Sequence, residues 1–287
     1  MSLKSKLEKG NFVILAELEP PKGIDVSSML ANAKRVKGIV DAFVVPEMSN
    51  AVMRMSSLGG ALLLKGKGLE TIFQVNCRDR NRLAIQADLL AAGASGISNV
   101  MAVTGEETRF GDHHEAKAVY DLDLIELIRT INCLNNGKDM AGVELAGSPE
   151  FLIGSTVNAG ASGQALTLEL KIMKKKIEAG ANFFITPALF EVKGIQPFLE
   201  RVDLSKVKII PTVLLLKSAG MAKYIKQHMD NIMIPDSVVE RIQNAPDRVR
   251  ECVKIASETV SMLKNEGFAG AFISTLGWEN KLSEILE

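Results

Sequence analysis

Eight short, β-branched apolar runs, each followed by a longer amphipathic stretch, leave few folds open to this chain. The runs are FVILAELEP (12–20), DAFVVPE (41–47), ETIFQVNC (70–77), GISNVMAVTG (96–105), FLIGSTVNA (151–159), NFFITPAL (182–189), VKIIPTVLLL (207–216) and GAFISTLG (270–277). Short runs bounded by turn residues read as buried strands, and the longer periodic stretches between them as helices. Among these is DRNRLAIQADLLAAGA, read as a helix capped by Asp79 and closed by glycine; LTLELKIMKKKIEAGA is another. Near-identical small-residue turns, LLAAGASGI, KIEAGANFF and NEGFAGAFI, precede three of the strands, as expected where a helix hands the chain to the next parallel strand. About eight such units predict an α/β chain folded as a single (β/α)8 TIM-type barrel over residues 1–287. A doubly wound open sheet is the alternative that pattern alone leaves open. The barrel is favoured because the strands keep a similar spacing to the C-terminus and no Pro, Ser or Gly linker divides the chain. Two segments break the rhythm: a long polar loop after the fourth strand (105–123) and an insertion before the last long helix (233–249).

Charge narrows the function. Lys plus Arg and Asp plus Glu both number 34 in 287 residues, so no global field draws in nucleic acid or an anionic membrane. Aromatic residues make up 5%, too few for a base-stacking platform. No apolar run reaches the roughly 18 residues that span a bilayer, and MSLKSKLEKGNF lacks the apolar stretch of a signal peptide, so the chain reads as cytoplasmic. Cys77, Cys133 and Cys252 are too scattered for a disulfide framework or a metal knuckle. Cys133 and Cys252 read as small core residues, and Cys77, at a strand end, as one that could touch a ligand.

In a barrel the chemistry sits where strands end and the following loops begin. Those ends carry Glu17, Glu19, Glu47, Gln74, Asn76, Thr104, Glu106, Glu107, Ser155, Asn158 and Thr186. No histidine lies on a strand, so a His base or His-rich metal site is not supported. Glu19, before Pro20 and Pro21, reads as a solvated rim charge, and Glu47 and Glu107 as loop surface. Glu17 shares strand parity with Val13 and Leu15, the barrel-interior side, where a carboxyl should have the raised pKa of a general acid. GGALLLKGKG has neither dinucleotide-binding nor Walker spacing and reads as a helix with its exit turn. Of the run Lys174 to Lys176, at most one lysine should face a ligand.

Taken together, AELEPP, QVNC, TGE, GDHHEAKAVYDLD, KKKIEAGA and FFIT resemble the methylenetetrahydrofolate reductase family, over about residues 12–287, and most nearly its short forms from anaerobic bacteria. The resemblance implies a flavoprotein of one-carbon metabolism that binds FAD without a GxGxxG motif. It matches Glu17 to the general acid that protonates N10 of 5,10-methylenetetrahydrofolate, giving a 5-iminium cation that accepts hydride from flavin. Glu106 falls where the family has a carboxylate near flavin and folate. Gln74, Asn76, Thr104, Gly105 and Ser155 match strand-end positions lining the flavin, and Glu169 and Lys176 those on its adenosine and pyrophosphate side. The electron donor is left open between NAD(P)H and an electron-donating partner protein, and a homo-oligomer is left open too.

Two departures stand out. Pro46 and Pro187 replace side chains that hydrogen-bond in better-known members, which proline cannot do. They motivate a second reading, a non-catalytic or repurposed flavin- or folate-binding paralogue in a methyl-transfer complex. A third, a Schiff-base lyase using Lys176, is weaker because that lysine falls in a helix and not on a strand.

Overall fold

A computed structural model describes all 287 residues. Eight parallel strands close into one barrel in chain order: β1 (Val13–Glu17), β2 (Ala42–Val45), β3 (Thr71–Asn76), β4 (Asn99–Val103), β5 (Leu152–Thr156), β6 (Phe183–Ala188), β7 (Lys208–Leu214) and β8 (Gly270–Ser274). Closure is made by β1 against β8, with Leu15 opposite Phe272, so the open-sheet alternative is excluded. The helices are α1 (Leu3–Glu8), α2 (Ser27–Arg35), α3 (Ser57–Lys65), α4 (Arg82–Ala94), α5 (Leu124–Asn135), α6 (Gly163–Ala179), α7 (Gln196–Leu199), α8 (Ala219–His228), α9 (Asp236–Asn244), α10 (Arg248–Asn265) and α11 (Leu282–Leu286). None is long and apolar enough to cross a membrane.

Strand parity separates two cores. Val13, Leu15, Val44, Ile72, Met101, Leu152, Phe183 and Ile210 point inward and fill the barrel, while Ala16, Phe43, Val75, Ala102, Ile153 and Phe184 point outward against the helices. Inside, large and small residues alternate: a Cβ on Gly154 would come within 2.3 Å of the Phe183 ring. Leu3 and Leu7 of α1 join the inner cluster, so this short helix plugs the N-terminal end of the barrel. Lys6 of α1 pairs with Asp41, whose other oxygen accepts from the Ile14 N–H at 2.6 Å.

The repeated small-residue turns do what their sequence implies: Gly96, Gly180 and Gly267 all have positive φ at the helix-to-strand exits. Several sequence expectations need correction. Asn81, not Asp79, caps α4, its side chain accepting from the Ala84 N–H, because Asp79 is taken up by Arg78 and Asn76. Cys133 is exposed on α5, on the side turned from the core. Cys77 packs into the helix-side core, where burial pushes its thiol up to about 12, and it borders neither cleft at the barrel mouth. The insertion at 233–249 carries a helix of its own, α9.

Candidate active site

The C-terminal mouth of the barrel opens into two clefts. One, of about 410 Å³, lies over β1 to β4 and is bordered by Glu17, Pro46, Glu47, Ser49, Gln74, Gly105, Glu106 and Phe272. The other, of about 770 Å³, runs outward between α5 and α6 and is bordered by Asp123, Asn158, Glu169, Lys175, Lys176, Thr186, Pro187 and Asn231. Thr104 and Thr156 border both, so the two form one elongated recess along the strand ends.

Glu17 ends β1 on the inward parity, at the floor of the smaller cleft, partly buried. Its Oε2 accepts the Ser274 hydroxyl from the end of β8. Desolvation pushes its pKa from the ordinary 4.5 up to about 7, the Ser274 hydrogen bond opposes this, and the negative charges of Glu19 and Glu279 add to it. A carboxyl tuned to neutrality and facing a recess can hold a proton and release it at physiological pH. Ser274 had no signal in the sequence beyond sharing that inward face from the last strand.

Two other glutamates differ from their sequence reading. Glu19 is not freely solvated: it is half-buried and pairs with Arg54 at 2.9 Å. Burial still raises its pKa, against the pull of Arg54. Glu47 is not loop surface but fully buried, because the chain turns inward after Pro46. Its Oε2 accepts from the Ser57 N–H at 3.0 Å and lies 3.5 Å from Arg80, while its Oε1 has no partner. Glu107 is exposed, as expected.

Arg78 is the residue that sequence reasoning missed outright. It is 1% exposed and binds Asp79 through two nitrogens, at 2.6 and 2.8 Å. It also donates to the carbonyls of Glu106 (2.9 Å) and Met48 (3.4 Å), tying together the loops after β2, β3 and β4. The β2 loop needs such a tie, since Met48, Asn50 and Ala51 all have positive φ without being glycine. The available signal was RDR directly after a strand, three charges where a barrel keeps its chemistry. The long loop of 105–123 folds back over this region: Asp112 pairs with Lys22 and accepts from the Met53 N–H at 2.9 Å.

The remaining anticipated residues fall into two groups. Gln74, Thr104, Gly105 and Glu106 border the inner cleft, and Glu169 and Lys176 the outer one. Glu106 is exposed, 3.8 Å from Arg78. Lys176 is buried, donates to the Thr156 carbonyl at 2.7 Å, and has its pKa lowered by burial, with Glu169 pulling the other way. Lys175, which is exposed, borders the same cleft, and Lys174 is exposed. Asn76 and Ser155 stand one layer back. The Asn76 side chain is consumed by Asp79 and the Glu47 carbonyl, and the Ser155 hydroxyl by the Ala102 carbonyl on the helix-facing parity. Thr156, the next residue, is the one that reaches the recess.

The recess suits an elongated, partly anionic ligand. Gly105 has φ +85, and a Cβ there would come within 3.0 Å of Arg78, so the backbone itself forms that wall. At the far end Lys175 and Lys176 supply positive charge, and Asn158 Oδ1 is shielded from solvent without a protein partner. A buried amine, an unpartnered amide oxygen and a bare glycine wall fit a dinucleotide-sized cofactor laid along the strand ends. No grouping of three or more His, Cys, Asp or Glu side chains is placed to hold a metal.

Comparison with known proteins agrees with the fold and with the family resemblance. The family model described as methylenetetrahydrofolate reductase matches residues 2–287. "Methylenetetrahydrofolate reductase 2" of Schizosaccharomyces pombe is 24% identical over 258 residues, 86% of this chain but only 40% of that protein. "5,10-methylenetetrahydrofolate reductase" of Pectobacterium carotovorum is 23% identical over 277 residues, 93% of this chain and 87% of that one. Among solved structures, an uncharacterized protein from Clostridium thermocellum that binds two copies of 5-methyl-5,6,7,8-tetrahydrofolic acid shares the fold. Its TM-score is 0.63 at 17% identity, over 99% of this chain and 97% of that one. With the family model matched from Ser2 to the last residue, the chain belongs to the methylenetetrahydrofolate reductase family.

Proposed function

We propose that residues 1–287 act as one catalytic domain that reduces 5,10-methylenetetrahydrofolate to 5-methyltetrahydrofolate with FAD as the bound cofactor. Electrons would come from NAD(P)H or from an electron-donating partner protein. The observation that carries this reading is the Glu17 carboxyl, held at about 7 on the floor of a recess in a barrel of this family. Lys176, Glu169 and Asn158 would hold the adenosine and pyrophosphate side of the cofactor, and Thr104, Gly105 and Gln74 the ring side. When bound, FAD supplies the hydride.

The chain's own residues manage charge. Protonated Glu17 gives its proton to N10 of the folate as the bond between N10 and the methylene carbon breaks, which leaves the carbon as a 5-iminium cation. Hydride addition to that carbon completes the methyl group. Glu106, near the same cleft, favours the cation electrostatically, and its position is set by Arg78. Asn76 and Ser155, whose side chains are consumed inside the protein, contribute by fixing the β3 and β5 ends.

A second reading rests on the two prolines. Pro46 and Pro187 stand on the walls of the inner and outer clefts, where neither offers a side-chain hydrogen bond. A paralogue that binds flavin or folate without turnover, within a methyl-transfer complex, would look the same at these positions. The Schiff-base reading fares worse, because the Lys176 amine already donates to a backbone carbonyl. Desalting the protein after incubation with FAD, reducing it anaerobically and adding 5,10-methylenetetrahydrofolate distinguishes them. Retained flavin that is reoxidised by the folate is the expected result; folate binding without reoxidation supports the paralogue.

A further inference from the structure

The base of the barrel, away from both clefts, holds a cavity of a different kind. Helices α2 and α3 carry the chain back from the mouth, so their C-terminal ends lie at the base. There a cavity of about 440 Å³ is bordered by Leu30, Ala31, Lys34 and Lys37 from α2 and its exit, and by Lys67 and Leu69 from the exit of α3. That volume lies in the range of small-molecule sites. Leu69 is buried and Leu30 half-buried, while the three lysines are exposed. Charge singles the place out. Residues 27–40 and 57–69 carry Lys34, Arg35, Lys37, Lys65 and Lys67 and no Asp or Glu, in a chain whose charges balance. The acids next along the chain are engaged elsewhere: Asp41 with Lys6 and the Ile14 N–H, Glu70 with Lys65 and the Asn99 amide. Lysines near a helix end can satisfy its last carbonyls. Lys34, Lys37 and Lys67 do not: none of their amines donates to a protein acceptor or pairs with a carboxylate.

We propose that this cavity binds an organic phosphate with a hydrocarbon body. The three ammonium groups take the phosphate oxygens, and Leu30, Ala31 and Leu69 take the body. The bordering side chains decide the class of ligand. Apart from the amines they are all aliphatic, so no side chain is there to hydrogen-bond a sugar or a base, or to stack on a ring. Unpaired ammonium groups around one space repel one another, and a diphosphate relieves that repulsion while accepting charge-assisted hydrogen bonds. The site is independent of the folate chemistry, because it lies at the other end of the barrel from Glu17.

Calorimetric titration with inorganic pyrophosphate, the head alone, and with geranyl diphosphate, head and body together, tests it. Wild type should bind geranyl diphosphate more tightly than pyrophosphate, and both more weakly as salt rises. Replacing the three exposed amines together, in Lys34→Gln/Lys37→Gln/Lys67→Gln, should weaken both by about tenfold to a hundredfold. Ala31→Phe fills the space for the body and leaves the amines, so it should abolish the preference for geranyl diphosphate and keep the affinity for pyrophosphate. Lys175→Gln, in the outer cleft, should bind both probes as wild type does. Circular dichroism checks that each variant is folded. Flotation with vesicles of phosphatidylcholine and phosphatidic acid distinguishes the source of the phosphate. Co-flotation that the triple variant loses assigns this chemistry to a lipid headgroup, and binding of geranyl diphosphate without co-flotation assigns it to a free ester. A wild-type protein that binds neither diphosphate overturns the proposal, and equal affinity for the two removes the hydrocarbon body and overturns it as well. Affinity that survives in the triple variant, or that falls in Lys175→Gln instead, places the binding elsewhere and also overturns it.

Discussion

At the scale of single residues, the account turns on how Glu17 is held. Its environment favours the protonated form, and only the Ser274 hydroxyl works for the ionised form among the larger influences. If Glu17 must be protonated, the folate half-reaction slows as pH rises through about 7. Removing the hydroxyl in Ser274→Ala raises the Glu17 pKa further, so this limb of the rate profile should move to higher pH. A hydroxyl that merely packs would leave the limb in place. The same shift has a stability counterpart. The folded-state pKa lies above the ordinary 4.5, so the native state binds the proton more tightly than the unfolded chain does. The resulting stabilisation is complete below about pH 4.5 and is lost as pH rises to about 7, a change of at most about 3 kcal/mol. Glu17→Gln removes this dependence, so denaturation at pH 5 and pH 8 should show the variant gaining on wild type between the two; a constant difference would contradict the assigned environment. Lys176→Met should weaken FAD binding while keeping the fold, because the amine's one protein partner is a carbonyl that a bound water can satisfy. Undiminished FAD affinity would remove Lys176 from the cofactor site.

At the scale of elements, the strands were the readable part. All eight apolar runs are strands, since parallel strands buried on both faces must be continuously apolar whatever lies at their ends. Parity was legible too, which is why the inward placement of Glu17 came out of the sequence. Ser155 shows the limit of counting strand ends without parity. It lies on the helix-facing side of β5, and Thr156, one residue on, is the one that meets the recess. The loops were less legible, because their geometry depends on partners far along the chain. Glu47 looked like surface until Arg80 and Ser57, from two other segments, enclosed it. The plug helix α1 was not anticipated, as its two leucines are too few to announce a buried face. Leu7→Ala should cost about 2–5 kcal/mol in denaturant unfolding, the range for emptying a packed core site. FAD affinity should not change, because the plug and the clefts lie at opposite ends of the barrel. A change of less than about 0.5 kcal/mol would mean that α1 rests on the barrel without sealing it.

At the scale of the whole molecule, barrel closure assembles the proposed site. It brings Ser274, at the end of the last strand, onto Glu17 at the end of the first, a contact between residues 257 positions apart. It also joins the cleft over β1 to β4 with the one between α5 and α6, through Thr104 and Thr156, into one recess along the strand ends. Family membership fixes the class of reaction to be tested, and the two wall prolines define the competing reading. The direct test of Glu17 as proton donor is the anaerobic stopped-flow reaction of reduced, FAD-loaded protein with 5,10-methylenetetrahydrofolate, followed by the return of oxidised-flavin absorbance. Wild type should reoxidise, and Glu17→Gln, with flavin still bound, should do so about two to four orders of magnitude more slowly. Equal rates in the two proteins would show that Glu17 delivers no proton and that the recess works by another route.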